Sequence, residues 1–348
     1  MLDDLQPEDF WPGSAVRADH LLLIESEAER AAVLDPQSDT SWKKAFFSRL
    51  AAFFDRHAGS APWLVKTSTT GDRAPESEVS ADLLRDILHF AVSRLGRDGV
   101  LLGDGPAYAR DYPSECRRLG WGPLLEEAGI AVVDLNQDDA REIAPGWPVS
   151  IRFLQAGAVI NLCRAKTHRR FGVSLSAKSL LGALSGAALG YPKLIGRHGA
   201  VPWLLVELER RAPPMFSVID GNPGVDGEGP LRAKPNGSHF IVFGEGCYGP
   251  DVRATIEMGF DPILVPGLIR PGRREYEERE VRWSELRQTG TDFLPAASCS
   301  WLYRSLRKRR RRDAEYRALR DGIRARWQRV AGWNADVHAP GSGEERER

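Results

Sequence analysis

Residues 158–182 read AVINLCRAKTHRRFGVSLSAKSLLG. The apolar run Ala158-Val159-Ile160-Asn161-Leu162 has the length and β-branched content of a buried strand, and it gives way to the polar segment CRAKTHRR. From 173 to 184 the spacing predicts a helix of small and apolar residues that carries one charge, Lys178. Strand, polar turn and helix in that order form the repeating unit of an α/β fold. Lys166, Thr167 and His168 then fall just ahead of a helix start, where backbone N–H groups and the helix dipole favour an anion. The alternative for this trio is a lysine on a surface loop and a histidine capping a strand end.

The alternation extends in both directions. Upstream, SWKKAFFSRLAAFFDRH (41–57) sets Trp42, Phe46, Leu50, Phe53 and Phe54 on one helical face, with Gly59 beyond its end. Trp63-Leu64-Val65 reads as a strand running into Lys66 and TSTTG. Ser80 is placed to cap a second helix, in which Leu83, Leu84, Ile87, Leu88, Ala91 and Leu95 recur at helical spacing before Gly96. Strands are predicted at 100–102, 130–135, 216–219 and 239–243, and helices at 122–128, 203–210 and 251–258. The fold class is therefore α/β, a mostly parallel sheet or sheets with flanking helices, plus a basic C-terminal helical segment.

Five apolar runs end on a charged or polar residue beside glycine or small polar groups. They are Lys66 with TSTTG, Asp104 between two glycines, Asn161 through His168, Asp220 with GNPG, and Glu245 with its glycines. The carboxyl ends of parallel strands share one edge, where ligands bind, so these five are expected to converge. Turns also favour Gly, Asp and Asn for backbone reasons alone.

The 48 basic and 48 acidic residues of the 348-residue chain cancel. The cancellation is uneven, because residues 301–330 carry twelve basic groups against three acidic ones and leave the remainder acidic. Uniform coating of nucleic acid is excluded. Segment 304–329 could bind nucleic acid or an acidic protein, or dock as an amphipathic helix on the acidic body. Four segments follow: an N-terminal extension over 1–40, an α/β body over 41–270, a charged, Arg-rich helical segment over 271–330 and a disordered tail over 331–348. The acidic N-terminus and the absence of a long apolar run predict a cytoplasmic protein with no membrane contact. Cys116, Cys163, Cys247 and Cys299 are scattered, as free thiols in a reducing compartment are.

Lysine is used only eight times, so each one in an apolar or glycine-rich setting is informative. Lys178 either snorkels outward or points into the pocket, where desolvation would lower its pKa and suit acid-base or Schiff-base work. The stretch DGNPGVDGEGP (220–230) departs from an EF-hand, since its sixth and twelfth positions are Val225 and Leu231. It reads as a loop in which Asp220 or Asp226 orients a lysine or histidine, with room for a looser divalent-metal site. The sequence carries no P-loop, dinucleotide fingerprint, nucleophile elbow or zinc spacing.

These pieces together resemble the domain of unknown function 362 family, over about 60–265. The resemblance rests on Ala158 to Leu162, Lys166-Thr167-His168, Lys178-Ser179-Leu180-Leu181-Gly182, Asp220-Gly221, Gly224, Gly227, Gly229-Pro230, and Asp251 ahead of Gly259. The family's Lys-Pro-Asn after the first strand is Lys66-Thr67-Ser68 here, so only Lys66 carries over. Many members hold a cysteine-rich ferredoxin-like module, which this chain lacks, so no iron-sulfur cluster is expected. The resemblance hints at redox metabolism of small molecules.

The expected protein is an enzyme of small-molecule metabolism, in a biosynthetic setting, acting on a small anionic metabolite. His168, Lys166 and Asp220 are the catalytic candidates, with His168 as general acid or base. Lys66, Lys178, Thr167 and Asp226 are the substrate-binding candidates. The reaction class stays open between oxidoreductase and isomerase or lyase, and the cofactor is unassigned. The rival is a non-catalytic binding protein that works through 304–329.

Overall fold

A computed structural model describes residues 31–260, apart from 38–40, 58, 60, 72–76, 109–110, 170, 191–192, 195–200 and 230–231. The basic segment 304–329, the tail and most of the N-terminal extension lie outside the described residues.

In chain order the elements are β1 (Ala32–Leu34), α1 (Ser41–His57), β2 (Trp63–Lys66), α2 (Ala81–Leu95), β3 (Val100–Asp104), α3 (Tyr112–Arg118), α4 (Gly122–Ala128) and β4 (Ala131–Asp134). A small hairpin follows, β5 (Ala140–Glu142) with β6 (Pro148–Ser150), then α5 (Ile151–Leu154), β7 (Val159–His168) and β8 (Gly172–Ser174). The one-turn helix α6 (Ser176–Ser179) runs into a 3-10 turn (Leu180–Ala183), followed by α7 (Gly186–Leu189) and α8 (Val201–Arg211). The last described elements are β9 (Met215–Glu228), β10 (Arg232–Pro235), β11 (Phe240–Glu245) and α9 (Tyr248–Glu257).

The main sheet has the order β1-β11-β9-β7-β2-β3-β4. The five strands from β9 to β4 are parallel, whereas β11 and β1 run antiparallel to their neighbours. The fold is α/β, a mixed, mostly parallel sheet with helices on both faces, as the sequence predicts. No helix among the described residues is long and apolar enough to cross a membrane.

Period-two alternation decides which face each strand residue serves. Trp63, Val65, Ile160, Leu162 and Val218 meet Phe46, Leu50 and Phe53 of α1 and Leu84 and Ile87 of α2 on one side. Leu64 and Val159 meet Leu180, Leu184, Leu204 and Leu208 on the other. Farther along that second side, Cys163, Ala165 and Ile219 meet Val252 and Ile256 of α9. The helix caps follow the sequence: the Ser80 hydroxyl accepts from Leu83 N, and Gly96 closes α2 at φ 72°.

Three local expectations fail. β7 does not stop at Leu162. It runs through the polar CRAKTH to His168 with every residue buried, because Arg164 and Lys166 find buried partners on a single face. The residues from 173 onward do not begin a helix, since Gly172–Ser174 turns back to pair with β7. Helix begins only at Ser176, where the Asp251 carboxylate accepts from Ser176 N (2.7 Å) and Ala177 N (2.9 Å). The helix-start anion site placed after His168 is therefore absent, and the first free N–H groups beyond it serve the protein's own carboxylate. The glycine-rich stretch from Asp220 is likewise no loop: β9 continues through it to Glu228, paired by β10.

Candidate functional site

The carboxyl ends of β2, β3, β7 and β9 carry two buried ionic networks, one toward each side of the sheet. In the first, Lys66 Nζ donates to Asp104 Oδ1 (3.0 Å), Ser179 Oγ (3.1 Å) and Thr67 O (2.7 Å). Asp104 Oδ2 accepts from Thr69 N (2.6 Å) and Thr69 Oγ1 (2.7 Å). Ser179 Oγ donates to Asn161 Oδ1 (2.7 Å), and Asn161 Nδ2 donates to Ser176 O (2.8 Å). The parallel register that sets Lys66 beside Asn161 and Gly103 delivers these groups to one place.

In the second network Lys166 Nζ donates to Glu78 Oε2 (2.9 Å), and Glu78 Oε1 accepts from Thr70 N (3.0 Å). Burial pushes the Glu78 carboxyl up, and the Lys166 ammonium pulls it back. Arg164 donates to Glu78 O (2.7 Å), Asn222 O (3.1 Å) and Pro223 O (2.8 Å), and lies 3.0 Å from Asp220 Oδ2. Asp220 also accepts from Ser80 N and Asn222 N, at 3.0 Å each. The segment from Thr67 to Gly71 is thus held through Thr69 by Asp104 and through Thr70 by Glu78.

Lys66, Lys166 and Asp220 consequently have their charges matched inside the protein. Thr167 Oγ1 donates to Gly227 O (2.9 Å), and Asp226 Oδ2 accepts from Asn236 Nδ2 (2.9 Å). Both therefore brace the β7–β9–β10 end. Glu245 is a clear exception to the expected convergence. β11 runs against β9, so Glu245 pairs with Phe216 at the amino end of β9 and contacts Arg56 on the opposite rim.

His168 and Lys178 both meet Phe171. His168 Nδ1 accepts from Phe171 N (3.3 Å), and the two rings are 5.1 Å apart. Lys178 Nζ lies 5.8 Å from the centre of the Phe171 ring. The Lys178 residue is half-buried and, among the described residues, its ammonium has no carboxylate or hydrogen-bond acceptor. Burial, aided by the positive Lys166, holds it down to about 8. Lys193, unassigned from sequence, donates to Leu184 O (2.9 Å) and Gly105 O (3.0 Å), and burial holds it down to about 7. It ties the turn after β3 to the 3-10 turn.

The sequence assigns no role to Glu78 or Arg164, nor to Ser179, which stands in the family pattern, or Lys193, one of the lysines in an apolar or glycine-rich setting. Arg164 had a usable signal, since it lies two residues from Lys166 and shares its face once β7 is known to continue. Glu78 had none, because nothing in SEVS marks a carboxylate as buried. Among the described residues no three metal-ligating side chains gather into a site, and Asp220 is occupied by Arg164 and two backbone N–H groups.

A mixed, mostly parallel α/β sheet with an ionic framework at its carboxyl edge is thus the class of protein. The family model described as a domain of unknown function (DUF362) matches residues 64–254, more than half of the chain, and the chain belongs to that family. It is also 24% identical over 180 residues to thylakoid-associated protein sll1697 of Synechocystis sp., covering 49% of this chain and 55% of that protein. The chain thus spans about half the length of this curated relative.

Proposed function

We propose that the protein is an enzyme acting on a small anionic metabolite at the carboxyl edge, with Lys178 and His168 facing the ligand. The observation that carries this reading is the Lys178 ammonium, half-buried beside a second cation and without an anion among the described residues. A cation left in that state is an electrostatic vacancy that a carboxylate or phosphate group would fill. Lys66, Lys166, Asp104, Glu78 and Asp220 then act as positioning residues that fix the strand ends. His168 supplies the acid or base group, which favours proton-transfer chemistry of the isomerase or lyase kind over oxidoreduction. The proposed setting is small-molecule biosynthesis in the cytoplasm.

The test is calorimetric titration of the full chain with a panel of small carboxylates and phosphate esters, repeated on Lys178→Met. Saturable, salt-sensitive binding that weakens at least about tenfold in the variant supports the reading. Equal binding by both proteins sinks it.

A further inference from the structure

We infer that Lys178 is a nucleophilic amine that forms an imine with a small carbonyl compound bearing a carboxylate, such as a 2-oxo acid. This deepens the anionic-metabolite reading above and rests on it for the carboxylate.

The inference comes from comparing the four interior lysines. Lys66 spends its protons on Asp104, Ser179 and a carbonyl, Lys166 on Glu78, and Lys193 on the carbonyls of Leu184 and Gly105. Lys66 and Lys166 are each held as ammonium against a carboxylate, and Lys193, though burial holds it down to about 7, is enclosed with its protons directed at two backbone carbonyls, so none of the three is open to a ligand. Lys178 alone of the four has no acceptor among the described residues, and it is also the only one of them not fully buried. Its Nζ lies 5.8 Å from the centre of the Phe171 ring, a contact that by itself favours the ammonium, but burial removes more hydration than the ring replaces. Lys166 adds a like charge, and among the described residues no carboxylate opposes Lys178. Both influences favour the neutral amine, which is the form that attacks carbonyl carbon.

The step balances without an oxidant or reductant. The Lys178 lone pair forms a C–N bond to the carbonyl carbon, the C=O π pair moves to oxygen, and a proton passes from nitrogen to that oxygen. The resulting carbinolamine takes one proton from the medium and loses water as the C=N bond forms. The imine so formed is protonated, and the carboxylate next to it lies against that positive charge, which no carboxylate among the described residues opposes.

The test is reductive trapping of the full chain with glyoxylate and sodium cyanoborohydride near pH 7.5, followed by peptide mapping. At that pH an amine titrating near 8 is about a quarter neutral, against about one in a thousand for an ordinary lysine. Lys43, Lys44 and Lys234 are exposed and serve as internal controls. Label on Lys178 at least about tenfold above these three, and lost in Lys178→Arg, is the expected result. Label on Lys178 no faster than on the surface lysines overturns the inference. The internal comparison stands even if the variant fails to fold. Calorimetry with oxalate, an anion that cannot form an imine, separates the two readings. Oxalate binding without Lys178 labelling refutes only the imine, whereas Lys178 labelling that oxalate neither binds against nor slows refutes only the anion.

Discussion

Lys66 Nζ lies 3.0 Å from Asp104 Oδ1, both side chains are buried, and the pair joins the carboxyl ends of two neighbouring parallel strands. A buried pair of this kind adds little over a well-packed apolar pair, yet losing one partner strands the other. Lys66→Met is therefore expected to destabilise the protein by about 3–5 kcal/mol, and the Lys66→Met, Asp104→Asn double variant to recover part of it. Urea unfolding followed through tryptophan fluorescence measures both. A single variant within about 0.5 kcal/mol of the parent would mean the pair is solvated after all.

Lys178 predicts the opposite sign. Its ammonium is half-buried with no carboxylate or hydrogen-bond acceptor among the described residues, so Lys178→Met should raise stability at pH 7 by about 1–2 kcal/mol while weakening ligand binding. The folded-state pKa is about 8 and the unfolded value 10.5, so between those limits the unfolded chain binds more protons. Stability of the parent should then rise with pH across that window, and the gain from the substitution should shrink. A variant that is less stable than the parent at pH 7 argues for a structural Lys178.

Asp251 should leave its mark at lower pH. Burial raises its carboxyl from 3.8 to about 7, against the pull of Ser176 and Ala177. As pH rises from about 4 to 7 the unfolded chain releases this proton while the folded one keeps it, so stability falls. Asp251→Asn cannot titrate there. The stability advantage of the parent over this variant should decline by about 1–3 kcal/mol across that range, as denaturation at pH 4.5, 6 and 7.5 would record. A constant difference would show that the carboxylate is ionised throughout.

Two glycines make a matched steric test. A Cβ at Gly182 would stand 2.3 Å from Asp104 Oδ1 and 2.7 Å from Lys66 Nζ, whereas one at Gly122 would meet nothing within 4 Å. Gly182→Ala should cost about 1–3 kcal/mol. Gly122→Ala should be neutral or slightly stabilising. Equal midpoints in thermal unfolding would mean that the 3-10 turn shifts freely away from the ion pair.

The helices and the parallel strands were legible because their signals are local. Ser80, Gly96 and the apolar spacing of α2 announce that helix without reference to anything else. The true ends of β7 and β9 are hidden because polar residues ordinarily mark a strand's end, and only distant partners such as Glu78 make Arg164 and Lys166 tolerable inside. The same distance hid the roles within the site. Lys66, Lys166 and Lys178 look alike in sequence, and what separates them is the carboxylate that two possess and, among the described residues, one lacks. Glu245 was misplaced for a topological reason, since nothing in its own strand tells which way that strand runs.

The direction of β11 has a practical consequence for handling the molecule. Because β11 is antiparallel, Arg56 and Glu245 sit on the rim away from Lys66 and Asp104, about a strand's length, or roughly 20 Å, from them. Immobilising the protein or attaching a fluorophore through that rim leaves the opposite one open, so binding can be followed on a surface without crowding Lys178.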